Sequence, residues 1–455
     1  MGAALDPGAA ALFVDLYELT MAASYHELGL VDPVTFDLYV HSLPPRRGYV
    51  VACGAEPALD YLEGLRFDDD AVAYLRSLRL FDEAFLRRLA DLRFTGDVWA
   101  IPEGEVAFPY EPLLRVTAPL VEAQLVETSL LNGLGFQTLI ATKAARVATA
   151  CAGRSFVDFS ARRDHGRDAA LQAARAAWIG GAAGTSLVLA GRELGIELSG
   201  TMAHSYVMRF GREDEAFLAF ARAYPGRAVL LIDTYDTLAG ARTVAGLAPQ
   251  LRADGIVPRA VRLDSGDLFE LARAVREILD DAGLTEVGIF ASGDLDEYRI
   301  ADLVRRAVPI DGFGVGTQLG TSGDAPSLGV VYKLVEDTTG PKIKLAPDKP
   351  TLPGRKQVYR FTEHGRAAYD VLALADEPAP GGRPLLAPVL VQGRRVGPPE
   401  PLAAARARCA AAVEALPDHL RALQASGPSY PVRRSDGLAE LVGRLRDERS
   451  ASKGG

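Results

Sequence analysis

The chain has 455 residues, enough for two or three domains or for one large barrel with an added domain. Its 50 lysines and arginines and 59 aspartates and glutamates give a formal net charge of −9, so we expect no nucleic-acid-binding surface, although clustered arginines can still bind an anionic substrate. No run of about 18 or more apolar residues predicts a membrane span, and three cysteines far apart without C-x-x-C spacing argue against disulfides or structural zinc.

The first third of the chain mixes strand and helix patterns. Residues 34–40 alternate apolar and polar side chains as a strand does, and residues 81–94 repeat apolar side chains at helical spacing. Residues 97–120 contain short strand-like runs broken by prolines and glycines, and a long helical pattern follows at 121–150. We therefore predict an N-terminal α/β domain at 1–125.

From about residue 155, short apolar runs alternate with stretches of helical periodicity. This alternation is typical of parallel βαβ units. At least six units in series favour a closed βα barrel over an open doubly wound sheet, so we predict an irregular TIM-like barrel as the catalytic domain at 126–335. The predicted strands lie in the runs 155–163, 198–207, 228–237, 260–267, 287–294 and 312–319.

The barrel pattern stops after about residue 335. Residues 343–361 have extended character, and 375–384 form a Pro/Gly-rich loop pattern. Residues 384–396 are typical of a strand and a turn, and the pattern from 401 is helical. Periodicity leaves open whether this C-terminal segment, 336–455, stands alone or completes the N-terminal domain. We expect it to pack on the N-terminal domain and to end in a helical tail.

Most polar residues that could carry chemistry fall at the ends of the six predicted strands. In a βα barrel these ends lie at one rim, which is where the active site is found. Arginines there suit a carboxylate or a phosphate, because the planar guanidinium can donate two parallel hydrogen bonds. The candidates are Phe159, Arg162, Arg163, Thr201, His204, Asp233, Thr234, Arg262, Asp264, Ser265, Ser292, Gly293, Gly316 and Thr317.

Several of these candidates also have a purely structural interpretation. Gly293 and Gly316 either let backbone N–H groups approach a phosphate or simply fit tight turns. Asp233 and Asp264 suit ribose hydroxyls, Mg²⁺ or a cationic transition state, but isolated aspartates equally serve as helix N-caps. His204, in the stretch GTMAHSYVM, is either a packed core histidine or a nucleophile that forms a labile phosphoramidate.

Nine short motifs occur in one order along the chain. They are DLYELTM (15–21), ETSLLN (127–132), FSARRDHG (159–166), GTMAHSYV (200–207), DTYDT (233–237), RLDSGD (262–267), FASGDLDEYRI (290–300), GFGVGTQL (312–319) and LPGRKQVYR (352–360). Any one of them is a weak signal. Together, over about three quarters of the chain, they resemble the nicotinate phosphoribosyltransferase family.

The resemblance implies a reaction and its co-substrates. Nicotinate attacks the anomeric carbon of 5-phosphoribosyl 1-diphosphate and gives nicotinate mononucleotide and diphosphate, in NAD biosynthesis and salvage. ATP hydrolysis is coupled to this transfer through a phosphohistidine, which the resemblance assigns to His204, and Mg²⁺ is the implied cofactor. The chain has no Walker-type G-x-x-x-x-G-K-[ST], so ATP must bind by another route.

The resemblance also implies roles for the other candidates. It assigns Tyr17 and Phe159 to the nicotinate ring, with Tyr17 contributed by the neighbouring subunit. The remaining assignments are Thr201, Arg262 and Arg162 to nicotinate, Ser292, Gly293, Gly316, Thr317 and Arg163 to the phosphoribosyl phosphates, and Asp233 and Asp264 to catalysis. No residue is assigned as a dedicated metal ligand.

Assembly and location are expected on similar grounds. The family pairs head to tail, so we expect a homodimer with shared active sites and neither a nucleic-acid nor a membrane partner. Residues 1–21 lack the basic region of a signal peptide, and the cysteine pattern suits a reducing compartment, so we expect a cytoplasmic protein. One departure from many relatives is Leu187 in place of asparagine, within a predicted helical hairpin at 184–191.

Three alternatives remain as hypotheses. A nicotinamide or quinolinate phosphoribosyltransferase shares the chemistry, but the amide would need neutral hydrogen-bonding groups and the dicarboxylate more cations. A catalytically inactive barrel-fold binding protein would not need His204, Arg262 and Thr317 together. A barrel lyase or aldolase would use a lysine or a metal cluster at the strand ends, and the six runs contain no lysine.

Overall fold

The structure, a computed structural model, describes residues 7–345, 351–425 and 427–451. Residues 346–350, part of the predicted extended stretch at 343–361, lie outside the described residues.

The chain divides into two compact units. Unit 1 consists of Met1–Thr142 and Ala325–Gly455, and unit 2 consists of Lys143–Asp324. The C-terminal segment thus shares a unit with the N-terminal residues. The predicted barrel domain, 126–335, begins before unit 2 and ends after it.

Helices make up much of both units, and several begin at an aspartate. The carboxylates of Asp68, Asp82, Asp236, Asp267 and Asp296 each accept a hydrogen bond from a backbone N–H in the first helical turn. No helix in the described part of the chain is long and apolar enough to cross a membrane. The helices are α1 (Pro7–Ala11), α2 (Leu16–Glu27), α3 (Ala55–Gly64), α4 (Asp69–Ser77), α5 (Glu83–Asp91), α6 (Leu120–Leu125), α7 (Glu127–Cys151), α8 (Arg167–Ile179), α9 (Val188–Leu194), α10 (His204–Arg209), α11 (Glu213–Ala223), α12 (Thr237–Ala253), α13 (Leu268–Asp281), α14 (Glu297–Arg305), α15 (Thr317–Gly320), α16 (Leu402–Glu414), α17 (Asp418–Arg421) and α18 (Asp436–Ala451).

The strands are short in unit 2 and longer in unit 1. They are β1 (Pro33–Val40), β2 (Val50–Val51), β3 (Asp97–Ala100), β4 (Val106–Ala107), β5 (Pro112–Pro119), β6 (Ser155–Asp158), β7 (Val229–Leu231), β8 (Ala260–Leu263), β9 (Gly288–Ala291), β10 (Gly312–Val315), β11 (Val330–Asp337), β12 (Gly340–Pro341), β13 (Lys356–Glu363), β14 (Arg366–Leu374), β15 (Arg383–Pro384), β16 (Ala387–Val391), β17 (Arg394–Arg395) and β18 (Val432–Arg434).

Unit 1 is built around an antiparallel sheet that mixes N-terminal and C-terminal strands. Across its described residues the order is β12-β11-β1-β5-β3-β16-β17, with smaller sheets β15-β13-β14-β18 and β2-β4. The central strand β1 pairs antiparallel with both β5 and β11. The strand predicted at 34–40, the helix predicted at 81–94 and the helical stretch at 121–150 are confirmed by β1, α5 and the successive helices α6 and α7.

Buried ion pairs join the C-terminal strands of unit 1 to its N-terminal strands. The Lys356 ammonium lies 2.8 Å from the Asp37 carboxylate, and both side chains are fully buried. The Arg360 guanidinium lies 2.6 Å from Asp370 and 2.8 Å from Glu105. Because an unpaired buried charge is costly, these pairs specify how the two parts of the chain meet. Lys356 and Arg360 belong to the motif LPGRKQVYR, which is therefore structural in unit 1.

Unit 2 contains a parallel sheet of buried strands. In the described residues its order is β6-β10-β9-β8-β7, and all four pairings are parallel. Five of the six predicted strand runs are confirmed, because β6, β7, β8, β9 and β10 lie within them. These strands are apolar without alternation because helices cover a parallel sheet on its faces.

The run at 198–207 is not a strand, and this prediction was wrong. Only Leu198 forms a β-bridge, residues 199–203 are irregular, and His204 begins α10. Met202 and Val207 are buried whereas Leu198 is exposed, so the apolar residues of this run do not form one buried face.

A closed barrel is not seen in unit 2. Two single-residue parallel bridges, Asp158 with Thr185 and Thr185 with Leu198, extend the sheet beyond β6. At the other edge lies β7, and no pairing among the described residues joins it to the Leu198 segment. The sheet stays open because β7 has only three residues and residues 199–203 form no strand that could close the ring.

Unit 1 also contains a buried carboxyl group beside the DLYELTM motif. Glu18, on α2, is fully buried and accepts a hydrogen bond from the Thr128 hydroxyl of α7. Burial, together with the neighbouring Glu127 and Asp15 carboxylates, raises the pKa of Glu18 to about 7, although the hydrogen bond from Thr128 opposes the rise. Its Oε2 is buried and has no hydrogen-bond partner among the described residues.

We expect Glu18→Gln to remove a pH-dependent loss of stability. The pKa of Glu18 is raised from 4.5 to about 7, so the folded state binds more protons than the unfolded state in this range. Stability is therefore lost as pH rises from about 4.5 to about 7. A neutral glutamine avoids this cost. We therefore expect the Tm of the variant minus the Tm of wild type to be larger at pH 8 than at pH 5, by about 3 °C or more.

Thermal unfolding across this pH range measures the difference. Glu27→Gln, an exposed glutamate on the same helix, is the matched control for the loss of one charge. A Glu18→Gln offset that does not change between pH 5 and pH 8 would contradict the assignment.

Candidate functional site

The carboxyl edge of the unit 2 sheet gathers most of the candidate residues. Parallel strands end at the same edge, so the residues that follow them come together. Asp158 ends β6 and is followed by Phe159, Asp264 follows β8, and Ser292 follows β9. Asp233 lies two residues beyond the end of β7.

Arg262, on β8, makes the largest set of side-chain contacts at this edge. Its Nε donates to the Ser292 hydroxyl at 2.8 Å, Nη1 to the Thr201 hydroxyl at 3.1 Å and Nη2 to Asp264 Oδ1 at 2.6 Å. The guanidinium carbon lies 5.5 Å from the centre of the Phe159 ring. With the side chain 15% exposed, the guanidinium is largely withdrawn from water. The structure thus brings four predicted site residues, Ser292, Thr201, Asp264 and Phe159, together around one cation, and this group is the Arg262 cluster.

Asp264 is held ionised by its neighbours. Burial acts to raise the pKa of its carboxyl, but the Ser292 hydroxyl and the Arg262 guanidinium outweigh burial and lower the pKa below the usual value. The Ser292 hydroxyl, which accepts from Arg262, donates to Asp264 Oδ1 at 2.5 Å. A fixed negative charge therefore lies beside the sheet edge at neutral pH.

Asp233 is tied to Asp264 through the backbone. Asp233 Oδ2 accepts from the Asp264 N–H at 2.9 Å and from the Ser265 hydroxyl at 2.6 Å. Asp233 Oδ1 is buried and has no hydrogen-bond partner within the described residues. The N-cap interpretation of these two aspartates is wrong, because the caps of α12 and α13 are Asp236 and Asp267.

His204 is the first residue of α10 and is not a packed core histidine. Its side chain is 42% exposed, which excludes the buried alternative. Nδ1 lies 3.2 Å from the Thr234 hydroxyl, and Nε2 lies 3.9 Å from Asp264 Oδ2, beyond hydrogen-bonding distance. One ring nitrogen is thus oriented by a neutral hydroxyl while the other faces an ionised carboxylate.

Phe159 packs against glycine. Its N–H donates to the Val315 carbonyl at 2.9 Å, which fixes the residue beside β10. A Cβ on Gly314 would lie 2.6 Å from the Phe159 ring, so no other residue fits there without a shift. The half-buried Phe159 ring also lies 5.9 Å from that of Phe290.

The glycine-containing turns have a backbone explanation. Gly293 has φ +90°, and a Cβ there would lie 1.9 Å from the Asp264 carbonyl oxygen, so glycine is required by close approach alone. Gly316 precedes the single-turn helix α15, and Thr317 is its exposed first residue. These facts are compatible with a phosphate loop but do not require one.

Arg162 and Arg163 do not join the Arg262 cluster. Arg162 and Arg163 are exposed and form no side-chain hydrogen bond or ion pair with any described residue. Tyr17 lies on α2 in unit 1 and is 47% exposed. Partial withdrawal of its hydroxyl from water and the nearby Glu127 carboxylate raise the pKa of Tyr17.

A buried ion-pair cluster in unit 2 was missed by the sequence analysis. The Lys143 ammonium, on α7, lies 2.5 Å from Glu297 and 2.7 Å from Asp324. Arg146, one turn later, lies 3.0 Å from Glu297. The available signal was a lysine and an arginine three residues apart in an otherwise apolar helical stretch. This cluster braces the segments that follow β9 and β10.

Asp158 and Thr185 were missed as well. Both are fully buried, and the Thr185 hydroxyl donates to Asp158 Oδ2 at 2.8 Å. A charged residue that ends an apolar strand run was the available signal for Asp158. Thr185 gave none, because 184–191 was predicted to be a helical hairpin.

The described residues contain no group of three or more His, Cys, Asp or Glu side chains arranged to hold a metal ion. Asp233 and Asp264 present carboxylate oxygens at this edge, and these could bind a cation together with ligands from outside the protein.

Two family models match successive parts of the chain. Residues 12–134 match a family model described as the nicotinate phosphoribosyltransferase N-terminal domain, and residues 154–345 match one described as the nicotinate phosphoribosyltransferase family. A nicotinate phosphoribosyltransferase of Mycobacterium tuberculosis is 50% identical over 96% of this chain and 94% of its own. That of Bacillus subtilis is 43% identical over 80% of this chain and 76% of its own.

Solved structures give the same result. The crystal structure of human nicotinic acid phosphoribosyltransferase matches with a TM-score of 0.84 and 30% identity, over 95% of this chain and 99% of the human one. That of nicotinate-nucleotide pyrophosphorylase from Pyrococcus furiosus matches with a TM-score of 0.74 and 27% identity, over 90% and 97%. From its sequence motifs, its fold and these relatives, the chain belongs to the nicotinate phosphoribosyltransferase family.

Proposed function

We propose that the chain transfers the 5-phosphoribosyl group from 5-phosphoribosyl 1-diphosphate to nicotinate. The observation that carries this proposal is the Arg262 cluster at the sheet edge. Hydrogen bonds to described residues use four of the five guanidinium N–H groups, which leaves one for a ligand carboxylate. The Phe159 ring beside it offers an apolar face for a pyridine ring.

The transfer replaces one bond at the anomeric carbon by another. The C1–oxygen bond to diphosphate breaks, the pyridine nitrogen forms the new C1–N bond, and the ribose carries positive charge in the transition state. The ionised Asp264, with Asp233 behind it, supplies a preorganised negative field for that charge. The protein thus contributes binding, orientation and electrostatics.

The residues at this edge fit the Mg²⁺ that the reaction implies. Mg²⁺ is usually held by one or two carboxylates together with substrate phosphates and water. Asp233 Oδ1 is buried without a partner among the described residues, as a carboxylate oxygen reserved for a ligand would be. Asp233 and Asp264 would hold the ion, and its charge would stabilise the leaving diphosphate.

We propose that the phosphates of 5-phosphoribosyl 1-diphosphate bind to the segments that follow β9 and β10. Ser292, Gly293, Gly316 and Thr317 would supply hydroxyl and backbone N–H donors there. The exposed Arg163 and Arg162 would approach the substrates only from outside the Arg262 cluster, so their roles are the least supported by contacts.

A product assay tests the reaction and its rivals. With 5-phosphoribosyl 1-diphosphate and Mg²⁺, nicotinate should give nicotinate mononucleotide and diphosphate in equal amounts. For nicotinamide or quinolinate, kcat/KM should be at least about 100-fold lower. The free N–H of the Arg262 guanidinium can bind one substrate carboxylate, which nicotinamide lacks and of which quinolinate has two. ATP should raise kcat/KM for nicotinate. The Arg262→Ala substitution should lower kcat/KM strongly and change Tm little. Equal use of nicotinamide, or no product at all, would favour the alternative enzyme or an inactive binding protein.

We also propose that His204 is phosphorylated by ATP. Its Nε2 would attack the γ-phosphorus as the bond to ADP breaks, and water would later hydrolyse the phosphoramidate. A proton held on Nδ1 and donated to the Thr234 hydroxyl would leave the Nε2 lone pair free. The nearby Asp264 carboxylate would stabilise positive charge on the ring.

Labelling tests the phosphohistidine. Protein incubated with ATP labelled at the γ position should take up acid-labile, base-stable label, and His204→Ala should abolish it. His165→Ala, an exposed histidine in the same unit, is the matched control and should label like wild type. Label that persists in the His204 variant would refute the assignment.

We further propose a homodimer in which Tyr17 completes the partner's active site. Apolar side chains are exposed at and beyond both ends of α2, including Leu16, Tyr17, Leu28 and Val31. Large apolar side chains exposed to solvent are common where a protein surface meets a partner. A two-fold dimer would offer each subunit's Tyr17 to the other.

Heterodimers test the sharing of sites. Tyr17→Ala and Arg262→Ala homodimers should each lose most activity, whereas a purified heterodimer of the two has one unmodified site and should regain about half of wild-type activity. The control heterodimer of Arg262→Ala with Asp264→Ala should regain nothing, because both residues belong to one cluster. A Tyr17/Arg262 heterodimer no more active than its parents would overturn the shared-site proposal.

A further inference from the structure

The segment that leads to Thr201 and His204 is attached to the unit 2 sheet by very few backbone contacts. Asp158 donates its N–H to the Gly184 carbonyl at 2.9 Å and accepts from Ser186 at 3.0 Å. Thr185 in turn donates to Glu197 at 3.0 Å and accepts from Ser199 at 3.0 Å. Each attachment is a single-residue bridge, so backbone pairing alone specifies the register only weakly.

Side chains reinforce this attachment at one buried point. Asp158 Oδ2 accepts from the Thr185 hydroxyl at 2.8 Å, and Asp158 Oδ1 accepts from the Ser160 N–H at 2.9 Å. The Thr185 hydroxyl also accepts from the Leu187 N–H at 3.1 Å. One carboxylate and one hydroxyl therefore join the segments 158–160 and 185–187, and the backbone of Thr185 holds the segment 197–199 to them.

Burial makes these hydrogen bonds directional constraints. Asp158, Ser160 and Thr185 are all fully buried, so no water can replace a lost partner without rearrangement. Burial raises the pKa of Asp158, and the bonds from Ser160 and Thr185 oppose that rise by stabilising the carboxylate. A lost hydroxyl at Thr185 would leave a buried carboxylate oxygen unpaired.

The buried point lies between two parts of the candidate site. On one side, Asp158 is followed directly by Phe159. On the other side, the Ser199 N–H donates to the Thr185 carbonyl. Ser199 lies two residues before Thr201 and five before His204. Thr201 then accepts from Arg262 at 3.1 Å. A slip of the 197–199 segment would therefore carry Thr201 and His204 with it.

We infer that Asp158 and Thr185 are positioning residues for the Thr201–His204 segment: their buried hydrogen bond sets its register on the sheet. This inference rests on the proposed function, because Thr201 and His204 matter only if they act on nicotinate and ATP. Neither Asp158 nor Thr185 needs to touch a substrate.

Matched substitutions at Thr185 test the inference. Thr185→Val keeps the shape and removes the hydroxyl, whereas Thr185→Ser keeps the hydroxyl and removes a methyl group. In Thr185→Val we expect His204 labelling by ATP to slow about tenfold, the nicotinate KM to rise, and amide hydrogen exchange of residues 198–204 to accelerate about tenfold. Thr185→Ser should stay within about twofold of wild type in all three.

A merely stabilising hydroxyl gives a different pattern. It would lower Tm without changing labelling or KM at a temperature where the variant is folded, and that result would overturn the inference. Equal labelling and KM effects in the valine and serine variants would also overturn it. Should Thr185→Val fail to fold, Asp158→Asn, which keeps one acceptor oxygen but alters the donor pattern, carries the same expectations against wild type.

Failure of the proposed function has its own signature. Wild-type protein that takes up no label would overturn the phosphohistidine proposal and leave nicotinate KM and hydrogen exchange to decide this inference. If both are unchanged in the Thr185→Val or Asp158→Asn protein, the positioning role is refuted.

Discussion

The pairing of Arg262 with Asp264 is the interaction on which the candidate site depends. A guanidinium that is largely withdrawn from water needs compensation, and Asp264 supplies it at 2.6 Å while Ser292 and Thr201 satisfy other N–H groups. These partners come from the segment after β9 and the segment before α10. One buried charge thus draws separate parts of the sheet edge to a common point, and the same contacts keep Asp264 ionised.

Desolvated charge also organises the two units internally. In unit 1, the pairs of Lys356 with Asp37 and of Arg360 with Glu105 join the C-terminal part of the chain to the N-terminal part. In unit 2, Lys143 pairs with Glu297 and Asp324. Such pairs add specificity more reliably than net stability, since a misplaced partner leaves a buried charge uncompensated. This explains why a motif recognised as typical of the family, LPGRKQVYR, makes internal contacts in unit 1.

Local pattern predicted most of the unit 2 strands because buried parallel strands are short, apolar and separated by amphipathic helices. The exception is the run 198–207, which was predicted as a strand from its apolar residues. The sequence shows which residues are apolar but not which of them are buried. Asp158 and Thr185 escaped notice for a different reason. Their hydrogen bond joins residues 27 positions apart, and no local periodicity reports such a contact. The roles of Arg162 and Arg163 were predicted from their place at a strand end and from the resemblance, and no contact in the described residues supports them.

The sequence by itself determined the βα alternation of unit 2, the family, and the placing of polar residues at strand ends, because each depends on short-range periodicity or motif order. Only the tertiary structure decided that the sheet is open among the described residues, that His204 begins a helix half-exposed to solvent, and that Arg262 gathers Thr201 and Ser292. Those outcomes depend on partners 30 to 61 residues away, brought together by burial and charge compensation.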